Sequence, residues 1–150
     1  MTVRKTTTEV PFTARQMFDL VADIERYPEF LPWCTALRIV QKDVSDGQGT
    51  MTADMVVAYT VFRERFRSKV LLDLENSRID AAYVDGPFRN LQNRWRFTDK
   101  PEGGSIIDFE IAFEFKNFLL QATAQAVFDK AFARMSEAFV TRAEEVYGPQ

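Results

Sequence analysis

The chain has 150 residues, 46% hydrophobic and 27% charged, with a net charge of −3. That length fits one domain with a core large enough to need no staple, and the hydrophobic content excludes disorder. The acidic balance argues against a general nucleic-acid binder, whose affinity would come from excess Lys and Arg.

Thr2 to Val10 alternates β-formers and reads as a first strand. Phe12 to Met17 is a helix start: Thr13 caps, Gln16 completes a capping box, and Phe12 with Met17 forms a hydrophobic staple. That helix buries Met17, Phe18, Val21 and Ile24 on one face. Tyr27 to Trp33 holds Pro28 and Pro32, which allow only a short turn of helix.

Six strand-like segments follow. Ala36–Lys42 and Gly49–Tyr59 flank Asp46-Gly47, a hairpin signal. Facing Leu37 and Ile39 toward Val57 and Met55 requires an odd loop, so three or five residues are predicted there. From Asp54 to Glu75 no Gly, Pro or Asn interrupts the pattern, yet one strand of that length would span about 70 Å. Met51, Met55, Val57 and Tyr59 are odd-numbered, whereas Phe62, Phe66, Val70, Leu72 and Leu74 are even, so the chain must reverse between Tyr59 and Phe62. Arg78–Val84 and Phe88–Asp99 are the next strands. Lys100 to Gly104 reads as a three-residue hairpin loop with a left-handed glycine. That register sets Trp95 opposite Phe109 and Phe97 opposite Ile107, with Arg94 meeting Glu110 and Arg96 meeting Asp108 on the other face.

Phe118 to Tyr147 is a helix of ~45 Å. Its apolar face runs Leu120, Ala124, Val127, Phe128, Ala131, Phe132, Met135, Phe139, Ala143 and Val146, and Gly148-Pro149 stops it. The order is strand, helix, short helix, six strands, long helix. The predicted class is α+β: a seven-stranded antiparallel sheet wrapped around its C-terminal helix, with two small helices after the first strand.

Histidine is absent, which removes the commonest general base, every Ser-His or Cys-His nucleophile and most zinc sites. No phosphate-binding glycine loop appears, since Gly47-Gln48-Gly49 and Gly103-Gly104 lie in hairpin turns. The single cysteine, Cys34, reads as a small buried apolar group beside Trp33, and catalysis is the poorer reading. Met1 to Val10 has no apolar stretch of signal-peptide type and no run is long enough to span a bilayer, so the expected location is cytoplasmic.

Three constellations remain. The inward face carries Met55, Val57, Phe66, Val70, Trp95, Phe109, Ile111, Phe113, Phe115, Phe128, Phe132, Met135 and Phe139. They are either a packed core or, where a curved sheet and one helix fail to meet, the wall of an apolar cavity. Glu64 and Asn93 fall on that inward parity. Glu64 either escapes to water at the hairpin end or is a polar handle at a pocket mouth; Asn93 either bonds backbone or is a second handle. Outward, Arg63, Arg65, Arg67 and Lys69 share one strand face, either a solvated face partly neutralised by neighbouring carboxylates or a docking surface for anionic lipid or RNA.

These residues carry a resemblance. Val10-Pro11-Phe12, then Asp23 to Cys34, resemble the N-terminal signature of the coenzyme Q-binding START-domain family, within the polyketide cyclase/START superfamily. The same signature serves the bacterial ribosome association toxins. Gly86-Pro87-Phe88 with Leu91, Trp95 and Phe97 resembles the second signature, and Phe128 to Tyr147 the last helix. The resemblance implies a helix-grip fold spanning residues 1–150 and a bound polyprenyl quinone, ubiquinone, carried for quinone biosynthesis and respiration at the inner membrane face, with no catalytic cofactor or metal. The toxin branch implies instead a ribosomal subunit as partner, and an aromatase or cyclase of the superfamily is disfavoured by the missing histidine. Under the quinone reading the ring sits near Leu31, Trp33 and Phe88, the tail runs along Phe109, Phe113, Phe132 and Met135, and Val57, Glu64, Phe66, Asn93, Trp95 and Phe128 complete the wall.

Overall fold

Strict alternation of half-buried and exposed residues along β1 (Thr2–Val10) marks a strand with one face on a core. The computed structural model describes residues 2–31, 33–59, 62–86 and 88–148, without the side chains of 59, 62, 118–124 and 127. After β1 come α1 (Ala14–Ala22), a 3₁₀ turn (Ile24–Arg26) and α2 (Tyr27–Phe30). The strands β2 (Cys34–Ser45), β3 (Gln48–Tyr59), β4 (Phe62–Asp73), β5 (Arg78–Asp85), β6 (Phe88–Asp99) and β7 (Ser105–Phe115) precede α3 (Phe118–Tyr147). They form one antiparallel sheet in the order β1-β7-β6-β5-β4-β3-β2, so each strand from β2 to β7 pairs with its sequence neighbour and β1 adds beside β7. This is the helix-grip architecture expected from the sequence.

Local chemistry explains the ends of the elements. Thr13 caps α1 by accepting from the Gln16 amide, while the Gln16 side chain accepts from the Thr13 amide, with Phe12 and Met17 buried on either side. At the other end Gly148 has φ of 76° and donates to the Glu144 carbonyl, closing α3. Pro149, Leu120, Ala124 and Val127, assigned to that helix and its stop, lie outside the described residues or side chains. Phe128, Ala131, Phe132, Met135, Phe139 and Ala143 face the core as expected. Val146 does not: it is half-exposed, and Tyr147 takes its place against Phe12, donating to the Gln16 carbonyl at 2.7 Å.

The β6–β7 register is the expected one, with Trp95 opposite Phe109, Phe97 opposite Ile107, Arg94 opposite Glu110 and Arg96 opposite Asp108. Lys100 and Gly104 close a three-residue loop through the bond from the Lys100 amide to the Gly104 carbonyl. β3 and β4 pair through to Tyr59 and Phe62, the reversal that the parity slip requires. The reversing residues 60 and 61 lie outside the described residues.

The β2–β3 loop corrects an expectation. It has two residues, Asp46 and Gly47, both left-handed at φ of 53° and 77°, the geometry of a type I′ turn. The odd offset is supplied instead by a bulge: Gln41 pairs with Thr52 but Ile39 pairs with Ala53, so Val40 is the extra residue. Leu37 consequently faces Met55, and a second irregularity separates Ala36 from Cys34, which faces Val57. Deleting Val40, itself 43% exposed, removes only the extra residue, so Ile39 should stay opposite Ala53 and Leu37 opposite Met55 on the inner face. We therefore expect a change in urea unfolding well below the roughly 2–3 kcal/mol that turning two half-buried side chains outward would cost; a loss of that size would show that the bulge residue itself holds the faces.

Candidate functional site

The inner face of the sheet holds two hydrophobic clusters. The larger joins α1, the inner strands and the end of α3, with Trp95 lying 4.3 Å from Phe109 and 5.2 Å from Phe139 between ring centroids. The smaller gathers Val57, Phe66, Phe88, Leu91, Phe113 and Phe115, with Phe88 stacked on Phe115 at 4.6 Å and Phe113 against Phe128 at 4.4 Å. Between them a cavity of about 170 Å³ remains, room for on the order of ten water-sized groups.

Of the residues expected in the site, Leu31, Trp33, Val57, Phe66, Asn93, Trp95, Phe109, Phe128, Phe132 and Met135 line this cavity. Phe88, Phe113 and Glu64 do not. Phe88 and Phe113, at most 1% exposed, are packed into the smaller cluster behind the wall. Glu64 faces Val57 across β3–β4 at the hairpin end, half-buried and beyond the lining. The expectation gave too little weight to Val21, Ile24, Tyr27, Ala53, Ser68, Ile79 and Ala81, which also line it. Parity could have found Ala53 and Ser68, since they continue the odd and even inward series of β3 and β4.

The lining is chemically quiet among the described residues. It contains no carboxylate, ammonium or guanidinium group. Tyr27 is its one phenol; the hydroxyl donates to the Val21 carbonyl, and burial pushes its pKa far up. Above it, α2 is tied to α3 by Arg142, which lies 5.2 Å over the Phe30 ring and 3.0 Å from the Glu29 carboxylate. A hydrogen bond from Arg26, joined by that from Arg142, holds the Glu29 carboxyl below its ordinary range. No cluster of metal-ligating side chains occurs among the described residues.

The outer face carries the basic ladder, partly neutralised by a neighbouring carboxylate. Arg67 is not free: its guanidinium grips Asp54 at 2.7 and 3.0 Å, and Arg38 approaches the same carboxylate at 3.8 Å. Arg63, Arg65 and Lys69 are exposed without an ion pair among the described residues. Arg94 and Arg96 differ from expectation, for Glu110 pairs with Lys5 at 3.7 Å and Asp108 accepts from Thr7. Register brings those arginines opposite the acids, but the edge strand β1 reaches the acids from the other side.

Residues 10–140 match the family described as polyketide cyclase / dehydrase and lipid transport. The chain belongs to this family. The Escherichia coli K12 protein named ribosome association toxin RatA is 38% identical over 138 residues, which are 92% of this chain and 84% of that one. The Xenopus laevis protein named coenzyme Q-binding protein COQ10 homolog B, mitochondrial, is 32% identical over 93% of this chain and 57% of its own length. The solution structure of the 18 kDa protein CC1736 from Caulobacter crescentus superposes with a TM-score of 0.81 at 34% identity, covering 99% of this chain and all of that one. By its description the polyketide cyclase and lipid transport family spans both enzymes and carriers, so the cavity's own chemistry must decide between them. No helix among the described residues is long and apolar enough to cross a membrane.

Cys34 lies beside Trp33, 2% exposed, and burial pushes its thiol up to about 11. At pH 8 only about one thiol in a thousand would ionise, so Cys34 should react with a disulfide reagent at least a hundredfold more slowly than in urea. Because the folded pKa is raised, its stabilising contribution is complete below the ordinary thiol range and is lost as pH climbs toward 11. Fast labelling of the native protein would show that the β2 end opens.

Proposed function

We propose that this protein is a non-catalytic carrier of a polyprenyl quinone, taking the ligand into the cavity between sheet and helix. The observation that carries the reading is a cavity walled mainly by Trp, Phe, Met and aliphatic side chains, with no charged group on its lining among the described residues. Such a wall offers no ionised acid or base to run a cyclisation: its one phenol, Tyr27, is engaged with the Val21 carbonyl, and no base stands beside Ser68 among the described residues. It favours a flat apolar ring with hydrocarbon attached. The name of the Xenopus relative agrees with that ligand class. A volume of about 170 Å³ suits a ring and the first units of a tail, leaving a longer tail to pass outward toward a membrane.

Mass spectrometry of organic extracts from natively purified protein tests this directly. We expect a ubiquinone in the extract and, on re-addition, quenching of Trp33 and Trp95, both of which line the cavity. Phe132→Leu should weaken the ligand severalfold while leaving the urea midpoint nearly unchanged, whereas Trp95→Ala should cost ~3–5 kcal/mol of fold stability. Extracts without quinone, together with no quenching by added quinone, would sink the reading.

A second reading rests on a specific observation, the 38% identity to a protein named ribosome association toxin, combined with a free basic face at Arg63, Arg65 and Lys69. The same three cations support peripheral docking on an anionic cytoplasmic leaflet, at about 1 kcal/mol each, or contact with ribosomal RNA through counterion release. Reversing all three to Glu separates them. Under the carrier reading the native protein floats with cardiolipin-containing liposomes, the variant does not, and neither affects joining of ribosomal subunits. Inhibition of joining by the native chain, relieved in the variant, would make the ribosome the target.

A further inference from the structure

Among the described residues, two polar side chains of the sheet line the cavity. Ser68 pairs with Ala53 across β3–β4, and Asn93 pairs with Ala81 across β5–β6. Ala81 also faces Val70, the next inward residue after Ser68, so the four form one patch across four neighbouring strands. All four line the cavity. Two of them stop at Cβ, which leaves lateral room beside the polar pair.

Neither Ser68 nor Asn93 has a side-chain hydrogen-bond partner among the described residues, yet neither has its polar atoms sealed from a water-sized molecule. Trp33 is the opposite case. Its indole N–H is sealed and unpartnered, so although the ring lines the cavity, a ligand cannot reach that donor. The Tyr27 hydroxyl is reserved for the Val21 carbonyl. The hydrogen-bonding capacity that the cavity offers a ligand therefore lies at Ser68 and Asn93: a hydroxyl, and an amide with two donors and an acceptor. Polar groups facing an apolar cavity are costly unless something satisfies them.

We propose that the Ser68–Asn93 patch is the head-group subsite of this cavity, taking an amphipathic ligand whose flat ring carries carbonyl or ether oxygens. The inference rests on the carrier reading and refines it. The ring lies on the floor made by Ala53 and Ala81, its oxygens accept from the Asn93 amide and the Ser68 hydroxyl, and the hydrocarbon leads away past Phe66 and Phe128. This turns the ligand around relative to the sequence expectation, which set the ring at Leu31, Trp33 and Phe88.

The test compares decylubiquinone with decylbenzene, which has the same tail on a ring without oxygens, for the native protein and for Ser68→Ala combined with Asn93→Leu. The expected result is a roughly tenfold loss of decylubiquinone affinity in the variant, two ordinary hydrogen bonds' worth. Decylbenzene affinity should hold or rise, and the variant should melt at or above the native temperature. If the double variant fails to fold, Ser68→Ala alone should lose about threefold for decylubiquinone only. Equal losses for both ligands, no loss for either, or a lowered melting temperature would overturn the subsite while leaving the carrier reading standing. Native protein that binds neither ligand would overturn the carrier reading itself.

Discussion

A sheet of seven strands is wider than the helix that closes it. Six spacings of about 4.8 Å set the outer strands nearly 30 Å apart, whereas a helix with its side chains is ~10–12 Å across. α3 therefore covers one band of the inner face and the rest must be filled by something else. At one end α1 and the residues leading into it do this, setting Phe18 against Phe97 and Phe12 against Tyr147, both at 5.9 Å. At the other, the cluster around Phe88, Phe113 and Phe115 fills the gap with rings that need no polar partner. The cavity is what remains between the two fillings, and its apolar lining follows from being a gap within a core.

The outer face obeys a different constraint. Both edge strands expose backbone to further pairing, and both are protected by charge and irregularity. β2 carries Arg38 and Lys42 and the Val40 bulge, while β1 carries Lys5 and is tied to α3 by Arg4 and Asp129 at 3.1 Å. In the middle, Asp54 is the carboxylate around which Arg38 and Arg67 gather, and the hydrogen bond from Arg67 holds its pKa below the ordinary range. These pairs are partly solvated and add little stability. Their effect is to decide which cations of the β4 ladder remain free: with Arg67 engaged, Arg63, Arg65 and Lys69 are left among the described residues.

Much of this fold was legible because side-chain parity is binary. A hairpin between Phe88 and Phe115 had to satisfy an apolar face and a charged face at once, and the register set by a three-residue loop did so. The slip from odd Tyr59 to even Phe62 likewise left the chain one place to turn. The Val40 bulge was not legible, because parity constrains the sum of loop length and inserted residues and does not say where the odd one sits. The partners of Arg94 and Arg96 escaped for a related reason: register names the neighbours of a side chain, and here β1 supplied a competing neighbour on the far side of β7. The cavity itself is a small difference between two large volumes. Residue identities bound each of those volumes too loosely to give the remainder, although the inward parity of Ala53, Ser68 and Ala81 marks where the wall is thin.

That thin wall is where the fold gives up stability. A void of about 170 Å³ made by truncating a well-packed core would cost about 4 kcal/mol, a large part of the 5–15 kcal/mol by which domains of this kind are stable. Leucine in place of Ala53 or Ala81 would fill much of it at no cost in strand pattern, and an aliphatic residue in place of Ser68 or Asn93 would remove an unsatisfied polar group. The chain has small or polar residues at all four places, on four adjacent strands. A ligand that fills the space and meets the two polar groups recovers both terms together, so occupancy and stability are linked by mass action. On the carrier reading, the empty protein is then the less stable partner, and delivery of the ligand to a membrane or an acceptor must work against that gain.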